Sequence, residues 1–258
     1  MMIATQVSAR EFESESLPLW REALMGLDWL ALHRSLVYLG IGVPRGKGTP
    51  VILVPGFLGD DSYLLELYLW LQRIGYQPFM SGIGRNAECP DVLSDKLQKT
   101  VDRVQLQTSQ RLTLIGHSLG GTLARSVALR RPLQVAQVIT LGSPIGSIRA
   151  HPLVLTAARI VKFRIDFIRG GHFSCYTREC ACDFAQSLSE ASLSKTVDTL
   201  AIYTKTDGVV DWRSCVHEDE SLNKEVSGTH CGLAFNPTVF ETIAHELYRC
   251  RQEKRAIA

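Results

Sequence analysis

A serine between glycines is the first feature of the sequence that could carry chemistry. Ser118 lies in the stretch "TLIGHSLGGT", between Gly116 and Gly120, with an apolar run before it and an Ala/Leu/Arg-rich segment after it. This G-x-S-x-G spacing predicts a sharp turn from strand to helix. The turn raises the serine hydroxyl at the helix N-terminus, where the backbone dipole stabilises developing negative charge. A structural turn is the alternative, and the strand and helix around the motif favour a nucleophile.

A serine hydroxyl is a weak nucleophile, so this interpretation requires a histidine base and an acid that orients it. One known arrangement has the chain order serine, acid, histidine, with each residue following a strand. Among the seven histidines, His230 fits, because it follows the last predicted strand and precedes the final helix. The segment "LAIYTKTDGVVDW" offers two acids, Asp207 and Asp211. We favour Asp207, which directly ends its strand, whereas Asp211 suits a helix N-cap.

Acyl transfer also needs two N–H donors for the oxygen that becomes negative. The backbone N–H of Leu119, the residue after the serine, is one predicted donor. The loop "VPGFLG" follows the first buried strand, and Gly56 lets it bend towards the serine. The sequence therefore predicts the N–H of Phe57 as the second donor.

The elements that would position these residues alternate between strands and helices. Five apolar segments predict strands, namely "TPVILV", "YQPFM", "RLTLIG", "AQVITLGSP" and "DTLAIYTKTD", and "KEVSGTH" predicts a short sixth strand. Helical patterns cover residues 18–34, 61–74, 91–107, 119–131 and 237–251, the last capped by Asn236. This alternation predicts an α/β fold with a parallel sheet and helices on both faces.

These motifs resemble those of the α/β-hydrolases, and among them the compact bacterial lipases and esterases. The matching pieces are "VILVPGF", "LIGHSLGG", "TLGSP", "YTKTDGVV" and "GTHCGLAFNP", which together span most of the chain from Val51 to Arg251. The resemblance implies an α/β-hydrolase fold with a mostly parallel central sheet and a helical lid or cap insertion. It also implies a triad of Ser118, Asp207 and His230, with oxyanion donors at Phe57 and Leu119.

Two segments depart from the smallest members of that family. We expect a single domain over residues 1–258, with an N-terminal helical extension over 1–45 and an insertion over 147–194 that contains no strand. Within the insertion, "HPLVLTAARIVKFRIDFIRGG" predicts an amphipathic helix from His151 to Ile168.

Two interpretations of this helix remain open. It is either a helix that packs against the core or a lid over the serine. As a lid, its apolar face would contact an acyl chain or a lipid surface. The residues predicted to bind substrate are Leu153, Ile160 and Val161.

Composition limits the classes of binding partner and the cellular compartment that we expect. The net charge of +2 disfavours nucleic acid, and no stretch reaches the roughly 20 apolar residues of a membrane span. The N-terminus lacks the pattern of a signal peptide, and the seven cysteines are an odd number, so we expect a cytoplasmic location.

The cysteines of "HFSCYTRECAC" do not predict a metal site. Their spacing, C-x4-C-x-C, differs from that of structural zinc sites. Thiols or a local disulfide, rather than a zinc site that also uses His172, are the expectation for Cys175, Cys180 and Cys182. The sequence predicts no metal and no cofactor.

Together these features predict a serine hydrolase that cleaves carboxylic esters through an acyl-enzyme. The expected substrate is a small-molecule or lipid ester, with transient contact to a lipid surface in the second case. An acyltransferase or a thioesterase could use the same triad. A hydrolase-fold protein that only binds a ligand is a further alternative, disfavoured because no triad member is missing.

Overall fold

The computed structural model describes residues 18–145, 150–169, 180–189, 193 and 197–257. Its strands form one six-stranded sheet with the order β2-β1-β3-β4-β5-β6, and every neighbouring pair is parallel. The strands are β1 (Pro50–Val54), β2 (Gln77–Met80), β3 (Leu112–His117), β4 (Val135–Leu141), β5 (Asp198–Tyr203) and β6 (Asn223–Glu225).

Helices connect these strands. The α-helices are α1 (Met25–His33), α2 (Leu65–Arg73), α3 (Pro90–Thr108), α4 (Leu119–Arg130), α5 (Pro152–Arg169), α6 (Asp183–Ser189) and α7 (Pro237–Ile257). Short 3₁₀ helices cover Leu19–Leu24, Asp61–Leu64, Trp212–Cys215, Glu220–Leu222 and Cys231–Phe235.

The core has two layers, one on each face of the sheet. Successive side chains of β1 alternate between them: Val51 and Leu53 face one layer, and Ile52 and Val54 face the other. The first layer contains Trp70 of α2 and Phe240 of α7, and the second contains side chains of α3 and α4. Because both faces are covered, every residue of β1, β3 and β4 is buried.

The predicted α/β fold and its six strands are confirmed. Two predicted helices differ in detail, because residues 18–34 and 61–74 each begin as a 3₁₀ helix before an α-helix follows. The sixth strand ends at Glu225, earlier than expected. The chain beyond it is held as a loop, in which the Gly228 carbonyl accepts a hydrogen bond from Thr204 Oγ1 at 3.0 Å. The Asn236 cap is present, with its Oδ1 2.9 Å from the N–H of Thr238.

Within residues 147–194, the described positions form α5 and α6 and contain no strand. An isolated antiparallel bridge joins Ala150, just before α5, to Val210 after β5. No helix among the described residues is long and apolar enough to cross a membrane.

The cysteines are in more than one state. Cys89 is disulfide-bonded, and among the described residues the cysteines that carry thiols are Cys180, Cys182, Cys215, Cys231 and Cys250. His172 and Cys175, which the sequence analysis grouped with Cys180 and Cys182, lie outside the described residues.

Candidate active site

Ser118 occupies a strained corner between β3 and α4. Its backbone has φ 52° and ψ −129°, a region that non-glycine residues rarely adopt. The N–H of Ser118 donates to the carbonyl of Leu141 at 2.8 Å, which ties the corner to the end of β4. The strand-to-helix turn predicted from the motif is therefore present.

The glycines of the motif make this corner sterically possible. A Cβ at Gly116 would lie 2.4 Å from the Cα of Gly121, in the helix that follows. A Cβ at Gly120 would lie 2.3 Å from the carbonyl oxygen of Val54, at the end of β1. Since both contacts are with backbone, neither can relax through a side-chain rotation, and helix and strand approach only because these Cβ atoms are absent.

Asp207 and His230 meet at the same edge of the sheet. Asp207 follows β5, and its Oδ1 accepts hydrogen bonds from the N–H groups of Val209 at 2.8 Å and Val210 at 2.7 Å. Its Oδ2 lies 2.6 Å from Nδ1 of His230. Both side chains are buried. The carboxyl group is therefore held by its own loop and faces the imidazole.

Asp211, the other acid considered from the sequence, has a different role. Its Oδ1 accepts from the N–H of Arg213 at 3.0 Å and caps the 3₁₀ helix Trp212–Cys215. This is the N-cap that the sequence pattern suggested for it.

The two buried histidines of this region differ in their electrostatics. Burial by itself disfavours an imidazolium, but the charge and hydrogen bond of Asp207 and the charge of Glu22 together raise the pKa of His230 above its ordinary value. Burial, with the neighbouring His230, lowers the pKa of His117 to about 3. A neutral His117 donates from Nε2 to the carbonyl of His230 at 2.9 Å, which anchors the backbone of that residue.

The loop after β1 lies beside the serine. A Cβ at Gly56 would be 3.0 Å from the Cβ of Ser118, so the following residue, Phe57, is close to the corner. Asn86 supports this loop: its Nδ2 donates to the Pro55 carbonyl at 2.9 Å, and its carbonyl accepts from the N–H of Leu58 at 2.8 Å.

Leu119 is the other predicted oxyanion donor. It is the first residue of α4, so its N–H has no acceptor within the helix.

Part of the sequence is similar to known proteins. Residues 90–160 match the family model described as a PGAP1-like alpha/beta domain. The chain is 33% identical to a triacylglycerol lipase of Burkholderia plantarii over 48% of its length and 38% of the relative's. It is also 33% identical to a triacylglycerol lipase of Pseudarthrobacter phenanthrenivorans, over 37% of its length and 33% of the relative's. The chain thus spans only about a third of the length of these relatives.

Solved structures agree at the level of the fold. A thermophilic esterase from Thermogutta terrifontis superposes with a TM-score of 0.52 at 16% identity, over 80% of this chain and 92% of the other. The chain has the α/β-hydrolase fold. Ser118, Asp207 and His230 follow β3, β5 and β6, at the carboxyl edge of a parallel sheet where ligands of such folds bind.

The α5 helix begins next to the loop that carries Asp207. The N–H of His151 donates to the carbonyl of Val209 at 2.7 Å. The three residues predicted to bind substrate do not share one face of α5: Val161 is 8% exposed, whereas Leu153 is 63% and Ile160 65% exposed. Positions 153 and 160 are two turns apart and point the same way, while consecutive residues are about 100° apart around the helix.

Several residues of this site carry no signal in the sequence. Glu22, Tyr63 and Asn86 lie far along the chain from the motif, yet Tyr63 donates from its hydroxyl to the carbonyl of Cys231 at 2.7 Å. His117 lies within the motif, but its spacing gives no indication of its contact with His230. Long-range contacts of this kind follow from the tertiary structure alone.

No metal centre is found within the described part of the chain. Across those residues, no three His, Cys, Asp or Glu side chains are grouped so that they could hold an ion.

Proposed function

We propose that this protein is a serine hydrolase that cleaves carboxylic esters through an acyl-enzyme. The observation that carries the proposal is the buried pair of His230 Nδ1 and Asp207 Oδ2, 2.6 Å apart, at the same sheet edge as the strained Ser118. A carboxylate on Nδ1 leaves Nε2 as the nitrogen that can exchange a proton with a serine hydroxyl. Triacylglycerol lipases among the relatives support an ester as the substrate.

In this mechanism Ser118 Oγ attacks the ester carbonyl carbon while its proton passes to Nε2 of His230. Asp207 orients the ring and stabilises the imidazolium. The N–H groups of Phe57 and Leu119 stabilise the negative oxygen of the tetrahedral intermediate. The alcohol leaves with the proton from His230, and water then releases the acid from Ser118 by the same steps in reverse.

We also propose that α5 acts as a lid and that lipid esters are among the substrates. Its start is hydrogen-bonded through His151 to the loop that carries Asp207, so its first turn lies near the proposed acid. Five large apolar side chains of the helix are exposed: Leu153, Ile160, Phe163, Phe167 and Ile168. A stripe of this kind on a helix fits contact with a lipid surface.

The test is Ser118→Ala, compared with Ser126→Ala, which removes a buried hydroxyl from the same helix. We expect Ser118→Ala to lower kcat for p-nitrophenyl butyrate by about a million-fold, as for other triad nucleophiles. A fluorophosphonate should label wild type and Ser126→Ala once, at Ser118, and fail to label Ser118→Ala. Substantial turnover by a pure, folded Ser118→Ala sample would overturn the proposal.

A further inference from the structure

Glu22 is a buried acid on an otherwise exposed segment. It lies in the 3₁₀ helix Leu19–Leu24, before the sheet begins, and is 9% exposed, whereas the neighbouring Trp20 is largely exposed. Burying a carboxylate is costly unless hydrogen bonds compensate for the lost hydration. The position of Glu22 therefore depends on the groups that surround its oxygens.

Those groups come from two loops at the proposed site. Glu22 Oε1 accepts from the N–H of Gly208 at 3.0 Å and from the N–H of His230 at 3.3 Å. Its Oε2 accepts from the N–H of Cys231 at 2.8 Å. Gly208 directly follows Asp207. The Glu22 side chain therefore joins the backbone of the loop that carries Asp207, the acid loop, to the backbone of the loop that carries His230, the base loop.

Asp28, on α1, provides a contrast within the same N-terminal region. Its Oδ1 accepts from Nδ2 of Asn236 at 3.1 Å, and its carboxylate lies close to Gly228 and Gly232. All of these contacts are with the segment around His230. Asp28 therefore supports one loop, whereas Glu22 connects two.

We propose that Glu22 is a positioning residue for the proposed hydrolysis: its carboxylate fixes the acid loop against the base loop and adds a second negative charge beside His230. This inference rests on the triad of the proposed function. The geometry explains why a carboxylate suits the position. A neutral amide would present N–H groups to one of three backbone N–H donors and would leave it without an acceptor.

The charged and titratable groups around His230 determine the expected pH dependence. Asp207 bonds to the ring and Glu22 to the backbone N–H, while His117, Tyr63 and the Cys231 thiol also face this loop. Burial is the main reason why the pKa of His117 falls to about 3 and that of Cys231 rises to about 12. Of this set, Asp207 and Glu22 are the acids whose charges raise the pKa of His230.

The direction in which the pH profile should move follows from the role of His230 as the base. Glu22 favours the imidazolium, so removing its charge lowers the pKa of His230. Because only neutral imidazole accepts the serine proton, the acid limb of kcat/KM should then move to lower pH. Loss of stability alone would not produce this shift.

The experiment compares Glu22→Gln, Glu22→Asp and Asp28→Asn in the full chain, with p-nitrophenyl butyrate as substrate and active sites counted by fluorophosphonate labelling. For Glu22→Gln we expect kcat to fall roughly a hundred-fold, the effect of small misplacements, with KM little changed and the acid limb at lower pH. Glu22→Asp keeps the charge but shortens the reach, so kcat should fall while the acid limb stays near that of wild type. Asp28→Asn should lower Tm and leave the acid limb unchanged.

A Glu22→Gln enzyme with wild-type kcat and pH profile would overturn the inference. So would a variant that only loses Tm, with the same profile as Asp28→Asn. Failure of the proposed function is a separate result, because Ser118→Ala would then retain hydrolysis whatever the Glu22 variants show.

Discussion

The serine corner at Ser118 and the Asp207–His230 pair lie at the same edge of the sheet but are held in different ways. Ser118 is fixed by its own neighbours along the chain, through a turn that the absent Cβ atoms of Gly116 and Gly120 permit. Asp207 and His230 come from separate loops and are held by long-range hydrogen bonds, including those of Glu22. One part depends on local sterics and the other on buried charge.

Because the two parts are held differently, substitutions should affect them differently. A steric corner should respond to added volume, with a loss of stability that the backbone cannot relieve. A charged pair should respond to a change of a single atom, with a loss of activity and little change in volume. Substitutions that separate volume from charge therefore test the comparison.

Among the substitutions that test this comparison, the largest effect is expected from Asp207→Asn. The amide presents the wrong hydrogen-bonding group to Nδ1 of His230, and a comparable change in a serine protease lowered kcat about ten-thousand-fold. Asp211→Asn is the matched control, since that residue only caps a short 3₁₀ helix and contacts Arg213. Steady-state kinetics on both variants measure the difference, and a larger loss with Asp211→Asn would reverse the assignment of the acid.

The second-largest effect is expected on stability, at the serine corner around Ser118. Gly120→Ala would place a methyl group 2.3 Å from the Val54 carbonyl oxygen, so we expect the free energy of unfolding to fall by about 3 kcal/mol or more. Gly26→Ala is the control: it lies in α1 with no atom within 4 Å of the added Cβ, and helix propensity predicts a gain of up to about 1 kcal/mol. Urea unfolding measures both, and equal stabilities would show that the corner relaxes.

The smallest effects are expected on α5, at two consecutive residues. Val161→Ser removes a buried side chain and should lower the free energy of unfolding by about 1–3 kcal/mol. Ile160→Ser changes an exposed residue and should alter stability by less than about 0.5 kcal/mol.

A comparison of an emulsified substrate with a dissolved one tests the proposed lid. Ile160→Ser should slow hydrolysis of an emulsified triacylglycerol more than that of dissolved p-nitrophenyl acetate, because it removes apolar surface from the face proposed to contact lipid. If both substrates are hydrolysed at the wild-type rate, α5 makes no functional contact with lipid through this face.

The sequence by itself determined the order of the strands along the chain, the turn at Ser118 and the two acids available after β5. Periodicity and steric exclusion act over a few residues, so these features are readable without a structure. Even the cap at Asn236 depends only on the N–H groups that follow it.

The tertiary structure decided those features of the site that depend on residues far apart in the sequence. Asp207 is distinguished from Asp211 because its carboxylate meets His230, and Glu22 reaches the site because the N-terminal 3₁₀ helix packs beside two loops far along the chain. Ile160 and Val161 have similar side chains, and only the packing of α5 exposes one and buries the other. No local pattern carries this information, because the energy of a buried charge or an apolar side chain depends on which atoms surround it in three dimensions.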